Sequence, residues 1–442
     1  MNQTMTADLS RRGLLGSGVA GAALALVTGP ATATPPLPVK FRNGLSLSRY
    51  PEAMFDKNVA YRAGKRTARS PEELQRVYMD HGSTEVFVRA GTSRTAPYGG
   101  RNSGFSEVVP RARLARALGL PLNPELLLCG IYGDMGGQPE PDFSGFPQIT
   151  LRKPWIELGI DEMCDAMRIY GELAAKEILN TGVTVNVWDL GNEVEFGIAG
   201  VAIPPMTKTI GGPGWTYRAP DAVDPEIGKM TIGKFFMMKP ADQAAWGKAH
   251  LWGHVGKILA AVADGIRKAD PKARFATHTS AIATMIPQVF VGFYETLDAN
   301  GFRSEELGAS YYPTNTKLIP KRLDLFKETA RLAKDRLGRP IYIAEFGYAA
   351  GPVIYGGDDW ANPVEGYPIT PDGQARFLRD LVEWGVREGT VCGVRPWAPD
   401  YVGGSWQGMA LFEAPVNGVA VARPGLSSIR EGLALAAQPR KA

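Results

Sequence analysis

The sequence is poor in the residues that build disulfide frameworks or metal centres. Among 442 residues there are three cysteines, Cys129, Cys164 and Cys392, and four histidines. Cysteines so far apart exclude a disulfide framework and a Cys-x-x-Cys metal centre, and an odd number leaves at least one thiol without a partner in the chain. Runs of like charge are missing as well. The 49 basic and 45 acidic residues interleave to a net charge of +4, so no patch for nucleic acid or for a membrane surface is indicated. No Gly-x-Ser-x-Gly elbow presents a serine nucleophile. No Gly-x-Gly-x-x-Gly fingerprint follows the first strand, which argues against a dinucleotide-binding open sheet. No cofactor is implied, and outside the N-terminus no apolar run reaches the 18 residues of a membrane helix.

What is present suits a large folded core. Apolar residues make up 44%, aromatics 9% and charged residues 21%, the profile of a globular chain. Glycine (52) and proline (34) are abundant, together about a fifth of the chain against about 12% ordinarily, so long loops are expected, and loops carry binding residues. At the N-terminus Ser10-Arg11-Arg12-Gly13-Leu14-Leu15 precedes an apolar, Ala/Gly-rich stretch over 16–27, followed by Ala31-Thr32-Ala33. That order is the pattern of a twin-arginine export signal with a small-residue cleavage site. It predicts a leader over 1–33, a short linker over 34–42, one domain over 43–430 and a tail over 431–442, in a secreted protein that is not membrane-bound after cleavage.

The mature chain alternates short β-rich runs with helical periodicity. Strands are expected over 45–48, 85–90, 125–132, 185–191, 274–279, 307–312, 340–346 and 391–397. Between 161 and 179 the apolar stripe Met163, Met167, Tyr170, Ala174, Ile178 marks a helix stopped by Gly182, and Leu323, Phe326, Ala330, Ala333, Leu337 mark another stopped by Gly338. Further helices are expected over 244–269 and 374–387. Eight strand and helix alternations predict an α/β fold of the (β/α)₈ TIM-barrel type, because each parallel connection needs a crossover helix. The longest connections, 195–242, 347–370 and 398–418, follow strands four, seven and eight, so all three would rise on the C-terminal face where such barrels build their sites.

Two strands end in a carboxylate. Trp188-Asp189-Leu190-Gly191-Asn192-Glu193 closes strand four, and Ile341-Tyr342-Ile343-Ala344-Glu345-Phe346-Gly347 closes strand seven. Either glutamate alone reads as a helix cap, but together they would face each other across the mouth. Paired carboxylates about 5 Å apart are what retaining glycoside hydrolysis requires, one as nucleophile and one as proton donor and acceptor, while a wider gap suits inversion. Asn192 is placed to bond a sugar hydroxyl beside the cleaved bond.

Asn192-Glu193 and Glu345 resemble the pattern of glycoside hydrolase clan A. More narrowly, Glu306 to Pro313, Pro340 to Tyr348, Thr370 to Ala375, Trp397-Ala398-Pro399 and Trp406 to Phe412 resemble family 53, the endo-β-1,4-galactanases, with the likeness running over about residues 70–430 and tightest in the C-terminal half. The resemblance implies Glu193 as acid/base, Glu345 as nucleophile, Arg89 as a positioner of the nucleophile and Tyr311 or Tyr312 as its hydrogen-bond partner. Three departures bear on specificity. Cys129-Gly130-Ile131-Tyr132-Gly133-Asp134 stands where the family carries Asp-Phe-His-Tyr-Ser-Asp, Thr314-Asn315-Thr316 where Trp and His follow strand six, and Phe196-Gly197-Ile198-Ala199 where the family has Leu-Trp.

Aromatics of the long loops, Trp215, Tyr217, Tyr355, Trp360, Tyr401 and Trp406, are candidates for stacking on sugar faces, with Trp397 as the platform at strand eight. His278, ending strand five, either lines the cleft or is a satisfied core histidine. His250 and His254 have a metal-capable spacing but lack the following Glu of a zincin, and Asp358-Asp359 reads as a solvated pair before a Ca²⁺ site; no metal is expected. The expected partner is a polysaccharide or oligosaccharide, with galactan leading, acted on by a monomer. Another β-glycan, or a carbohydrate-binding barrel without turnover, are the alternatives.

Overall fold

The computed structural model describes residues 40–94, 104–130, 132–204, 221–315, 317, 319–355 and 357–439. The expected leader, Ile131, Thr316, Trp215 and Tyr217 lie outside the described residues. Eight strands form one sheet: β1 (Arg42–Asn43), β2 (Val86–Ala90), β3 (Leu122–Leu126), β4 (Trp188–Leu190), β5 (Phe275–Thr279), β6 (Glu306–Tyr311), β7 (Ile341–Phe346) and β8 (Val391–Pro396). Their spatial order is β1-β8-β7-β6-β5-β4-β3-β2, and every pairing is parallel. Neighbours in sequence are neighbours in space, the circular order of a TIM barrel. Its two ends meet through Thr84 N, which donates to Asn43 O at 3.0 Å, and Phe87 N, which donates to Ser46 Oγ at 2.9 Å.

Helices α1 (Pro71–Asp80), α2 (Val108–Leu118), α3 (Ile160–Leu179), α4 (Trp252–Ala269), α5 (Pro287–Ala299), α6 (Arg322–Leu337), α7 (Pro371–Glu388) and α8 (Ser428–Ala436) follow the strands in turn. Their ends obey local chemistry. Ser70 and Thr370 cap α1 and α7 by accepting from Glu73 N and Gly373 N, each with proline at the first turn, and Gly119, Gly338 and Gly389 close α2, α6 and α7 in the left-handed conformation.

Several boundaries differ from expectation. The sheet begins at Arg42, inside the expected linker, while Leu45 and Leu47 leave it to pack in a satellite cluster with Tyr61, Leu74 and Tyr78. β3 ends at Leu126 instead of 132, because Leu128 takes φ +61° and turns the chain. The helix expected over 244–269 is two helices, Pro240–His250 and α4, broken at Leu251. Trp252 forces the break: its ring lies over Gly247, where a Cβ would stand 2.3 Å away, and its indole N–H bonds Glu195 O at 2.9 Å. The expected tail begins within α8, whose Gly432 packs so close to α7 that a Cβ would meet Arg379 O at 2.5 Å.

The barrel interior is polar in tiers. At the bottom Arg42 reaches both Glu85 on the lead into β2 and Glu306 on β6, strands on opposite sides of the ring, so its guanidinium crosses the interior. One tier higher Arg395 on β8 bonds Asn123 (2.9 Å) and Glu125 (2.6 Å) of β3. These buried cations and anions satisfy one another, the condition under which charge survives in a core.

Candidate active site

The uppermost tier holds the two glutamates. Beyond β4, Gly191 takes φ +78°, where a Cβ would strike Val194 at 2.4 Å. Glu193 is itself left-handed, at φ +52° and ψ +57°, a conformation that costs a non-glycine residue about 1–3 kcal/mol and concentrates at functional sites. Glu195 fixes this turn to the end of β5 by accepting from Ser280 N (3.0 Å) and from the Ser280 hydroxyl. Burial pushes the Glu195 carboxyl up to about 7.

Glu193 and Glu345 sit in opposite electrostatic environments. Glu193 is buried and accepts from Met135 N at 3.3 Å. Burial first, then the charges of Glu345, Asp134 and Glu195, raise its carboxyl well above the ordinary range. Burial alone would raise Glu345 too, but Arg89, the His278 imidazole and the Tyr312 hydroxyl outweigh it and hold Glu345 below that range. Arg89 forms ion pairs with both Glu345 and Glu125, and Tyr312 donates to Glu345 Oε2 at 2.7 Å. The site thus sets a carboxyl whose ionised form two donors favour beside one whose protonated form burial favours. Such a pair can attack at one side of a bond while protonating the other.

Asn192 stands between them. Its Oδ1 accepts from Arg89 Nη2 (3.2 Å) and faces His278 Nε2 (2.8 Å), and its Nδ2 donates to Gly133 O (2.7 Å). Asp134 is a third carboxyl near the pair, bonded by Gly136 N at 2.7 Å and pushed up to about 6 by burial and by Glu345. Trp397 at the end of β8 is partly exposed, edge-on to Trp406 (centroids 4.6 Å) and Tyr50 (6.0 Å), with Tyr50 stacked on Tyr401 at 3.8 Å. A cavity of about 70 Å³ opens beside Arg89 and Trp397, between the ends of β1, β2 and β8.

The structure brings together Arg89, Asn192, Glu193, Tyr312, Glu345 and Trp397, and removes others from the cleft. Tyr311 faces outward: its ring stacks on Phe326 of α6 at 4.2 Å and its hydroxyl bonds Arg322 O. Successive strand residues alternate sides, so only one of the two tyrosines can face in. Trp406 is buried between Tyr312, Tyr355 and Trp360 and backs Trp397. His278 is fully buried behind Asn192. Cys129 and Thr314 are buried too, Thr314 bonding Ala349 N, so neither offers a surface to a ligand. Of the loop aromatics, Tyr355 is half exposed at 48%. His250 bonds Asp224 at 3.1 Å and lies across the Leu251 break from His254. Asp359 accepts from Ala361 N and faces Lys317 at 3.9 Å, with Asp358 exposed beside it. The residues that sequence reasoning missed, Glu125, Glu195 and Arg395, carried one signal: a charge inside an apolar strand or turn that the fold must bury.

The chain is similar to several known proteins. A curated relative from Niallia circulans, described as an uncharacterized protein in the bgaB 5' region, is 30% identical over 118 residues, 25% of this chain and 31% of the relative. The chain therefore spans about a third of that relative's length. Among solved structures, a family 53 catalytic domain from Ignisphaera aggregans superposes with a TM-score of 0.62 at 18% identity, covering 90% of this chain and 98% of that one. A structure reported for fungal β-1,4-galactanases superposes with a TM-score of 0.60 at 16% identity, covering 87% and 98%. These likenesses establish the fold. Residues 227–421, which carry β5 to β8 and Glu345, match the profile of glycosyl hydrolase family 53, and it is this family of clan A that the chain resembles.

Proposed function

We propose that the protein is a retaining glycoside hydrolase that cleaves a β-linked polysaccharide, with Glu345 as nucleophile and Glu193 as acid/base. One observation carries the reading: of two buried glutamates at the ends of β4 and β7, Glu345 is bound by Arg89 and Tyr312, which favour its ionised form, while burial and Glu345 favour the protonated form of Glu193. Glu345 attacks the anomeric carbon while Glu193 protonates the departing oxygen. Glu193, now ionised, then takes a proton from the water that releases the glycosyl-enzyme. The same pair argues against a barrel that only binds sugar, since binding needs no divided protonation.

Galactan is the leading substrate, supported by the family 53 match and by the β-1,4-galactanases among the similar structures. Another β-glycan is the second reading, favoured by buried Cys129 and Thr314, which replace residues with which the family contacts sugar. Turnover on β-1,4-galactan, β-1,3-galactan, galactofuranan, mannan and xylan separates the two. Glu345→Ala and Glu193→Ala should each lower turnover by about 10³-fold or more with the fold intact. Azide should rescue Glu345→Ala with inverted product, and a Glu345→Ala enzyme of near-normal activity ends the assignment. We also propose that residues 1–33 direct twin-arginine export; Arg11→Lys with Arg12→Lys should leave the protein in the cytoplasm, as fractionation would show.

A further inference from the structure

Behind the two glutamates lies a buried relay with no surface on the cleft. Asp189 on β4 faces His278 on β5, with Asp189 Oδ1 and His278 Nδ1 3.7 Å apart. Neither atom has a hydrogen-bond partner, and both are buried. The other imidazole nitrogen, Nε2, lies 2.8 Å from Asn192 Oδ1. The chain keeps room for this ring: His278 is paired across the sheet with Gly308, where a Cβ would stand 2.5 Å from His278 Cβ and 2.3 Å from Thr277 O.

The protonation state follows from the partners. A neutral imidazole with its hydrogen on Nδ1 would set a lone pair against Asn192 Oδ1. One with its hydrogen on Nε2 would set a lone pair against Asp189. Only the doubly protonated ring donates toward both. The charged groups that act on it are Asp189 on β4, Glu195 in the turn after it, Glu125 on β3 and Glu345 on β7, while Arg89 on β2 and Arg395 on β8 pair with those carboxylates and its partner on β6 is the uncharged Gly308. Burial favours the neutral ring, but Asp189, joined by Glu125 and Glu345, raises the imidazole above its ordinary value.

We infer that His278 is a positioning residue, held as an imidazolium by Asp189, which locks the Asn192 amide and adds a positive charge behind Glu345. The lock has one orientation. Asn192 Oδ1 meets two cationic donors, Arg89 and His278, while Nδ2 meets the Gly133 carbonyl, so a flipped amide would oppose donors with donors and a carbonyl with an oxygen. One Nδ2 hydrogen remains, and the group it meets on a bound ligand must be an acceptor. The inference rests on Glu345 as the nucleophile, and its test keeps the two apart.

The four histidines make the imidazole region of an NMR spectrum of the whole protein readable, with His278→Gln assigning its signal. The His278 ring should remain doubly protonated through pH 7, and should become neutral there in Asp189→Asn. In kcat/KM profiles the acidic limb, which reports Glu345, should move up by about one pH unit in His278→Gln. Asp189→Asn should move it likewise, and the double variant no further. The loss should fall on kcat with KM little changed, as expected of groups that do not touch substrate. An imidazole that is neutral at pH 6 in the unaltered protein, an acidic limb that stays in place, or effects of the two substitutions that add would each overturn the relay. An active Glu345→Ala would instead overturn the nucleophile assignment and leave the imidazole titration standing.

Discussion

Glu193 and Glu345 are the same residue type at equivalent strand ends, and their difference comes from neighbours. Arg89 sits on Glu345 and not on Glu193, and Tyr312 donates to Glu345 alone. In the proposed mechanism the active form has Glu345 ionised and Glu193 protonated, so kcat/KM should follow a bell. Its acidic limb should lie below the ordinary carboxylate range and its basic limb well above it. Arg89→Met should raise the acidic limb, because the cation that favours ionised Glu345 is gone, and Glu193→Gln should abolish the basic limb. A pH profile on an activated aryl glycoside, whose leaving group needs little protonation, measures both. Unmoved limbs would assign the titrating groups elsewhere.

At the scale of elements, α3 and α4 are joined backbone to backbone. A Cβ on Gly171 would stand 2.3 Å from Val262 O, and one on Gly265 would stand 2.0 Å from Arg168 O. Gly171→Ala or Gly265→Ala must push the helices apart, at a cost of about 1–3 kcal/mol typical of overpacking. Urea denaturation should show that loss as a lower midpoint at unchanged slope. The helices themselves were legible from periodicity and stop signals, as α3 and α6 illustrate. Where the fold departs from the local pattern, a tertiary contact overrides it. Trp252 broke one helix to reach the Glu195 carbonyl, and the apolar run at 126–129 stayed buried after leaving the sheet.

For the whole molecule, the buried ionisable groups set a pH dependence of stability. Asp134 and Asp400 are pushed up to about 6 and Glu195 to about 7, chiefly by burial, and His278 lies above its ordinary value. A group with a raised folded pKa binds its proton more tightly folded than unfolded, so its stabilisation is present below the unfolded pKa and lost as pH rises through the folded one. Asp189 and Glu345, held low, act oppositely below about pH 4, and the half-buried imidazoles of His81 and His254, held low chiefly by burial, offset only part of the effect near their ordinary value. The melting temperature should therefore be higher at pH 5 than at pH 8 by a few degrees. A calorimetric series that rises from pH 5 to pH 8 would contradict this balance.

The sequence by itself determined the barrel, because eight strand and helix alternations leave a parallel sheet few other ways to close, and it determined which strands end in Glu193 and Glu345. It also carried Asn192, Arg89 and Trp397, whose strand-end positions fix where they emerge. Only the tertiary structure decided between Tyr311 and Tyr312, since alternation along β6 fixes that one faces in but not which. It alone placed His278 behind Asn192, sank Trp406 beneath Trp397, and joined Glu125, Arg395 and Glu195 to the site's support. Those outcomes depend on distances between residues up to 272 positions apart, as in the Arg395 to Asn123 bond. Charge strength at such contacts is set by burial and separation, quantities that do not exist until the chain has closed.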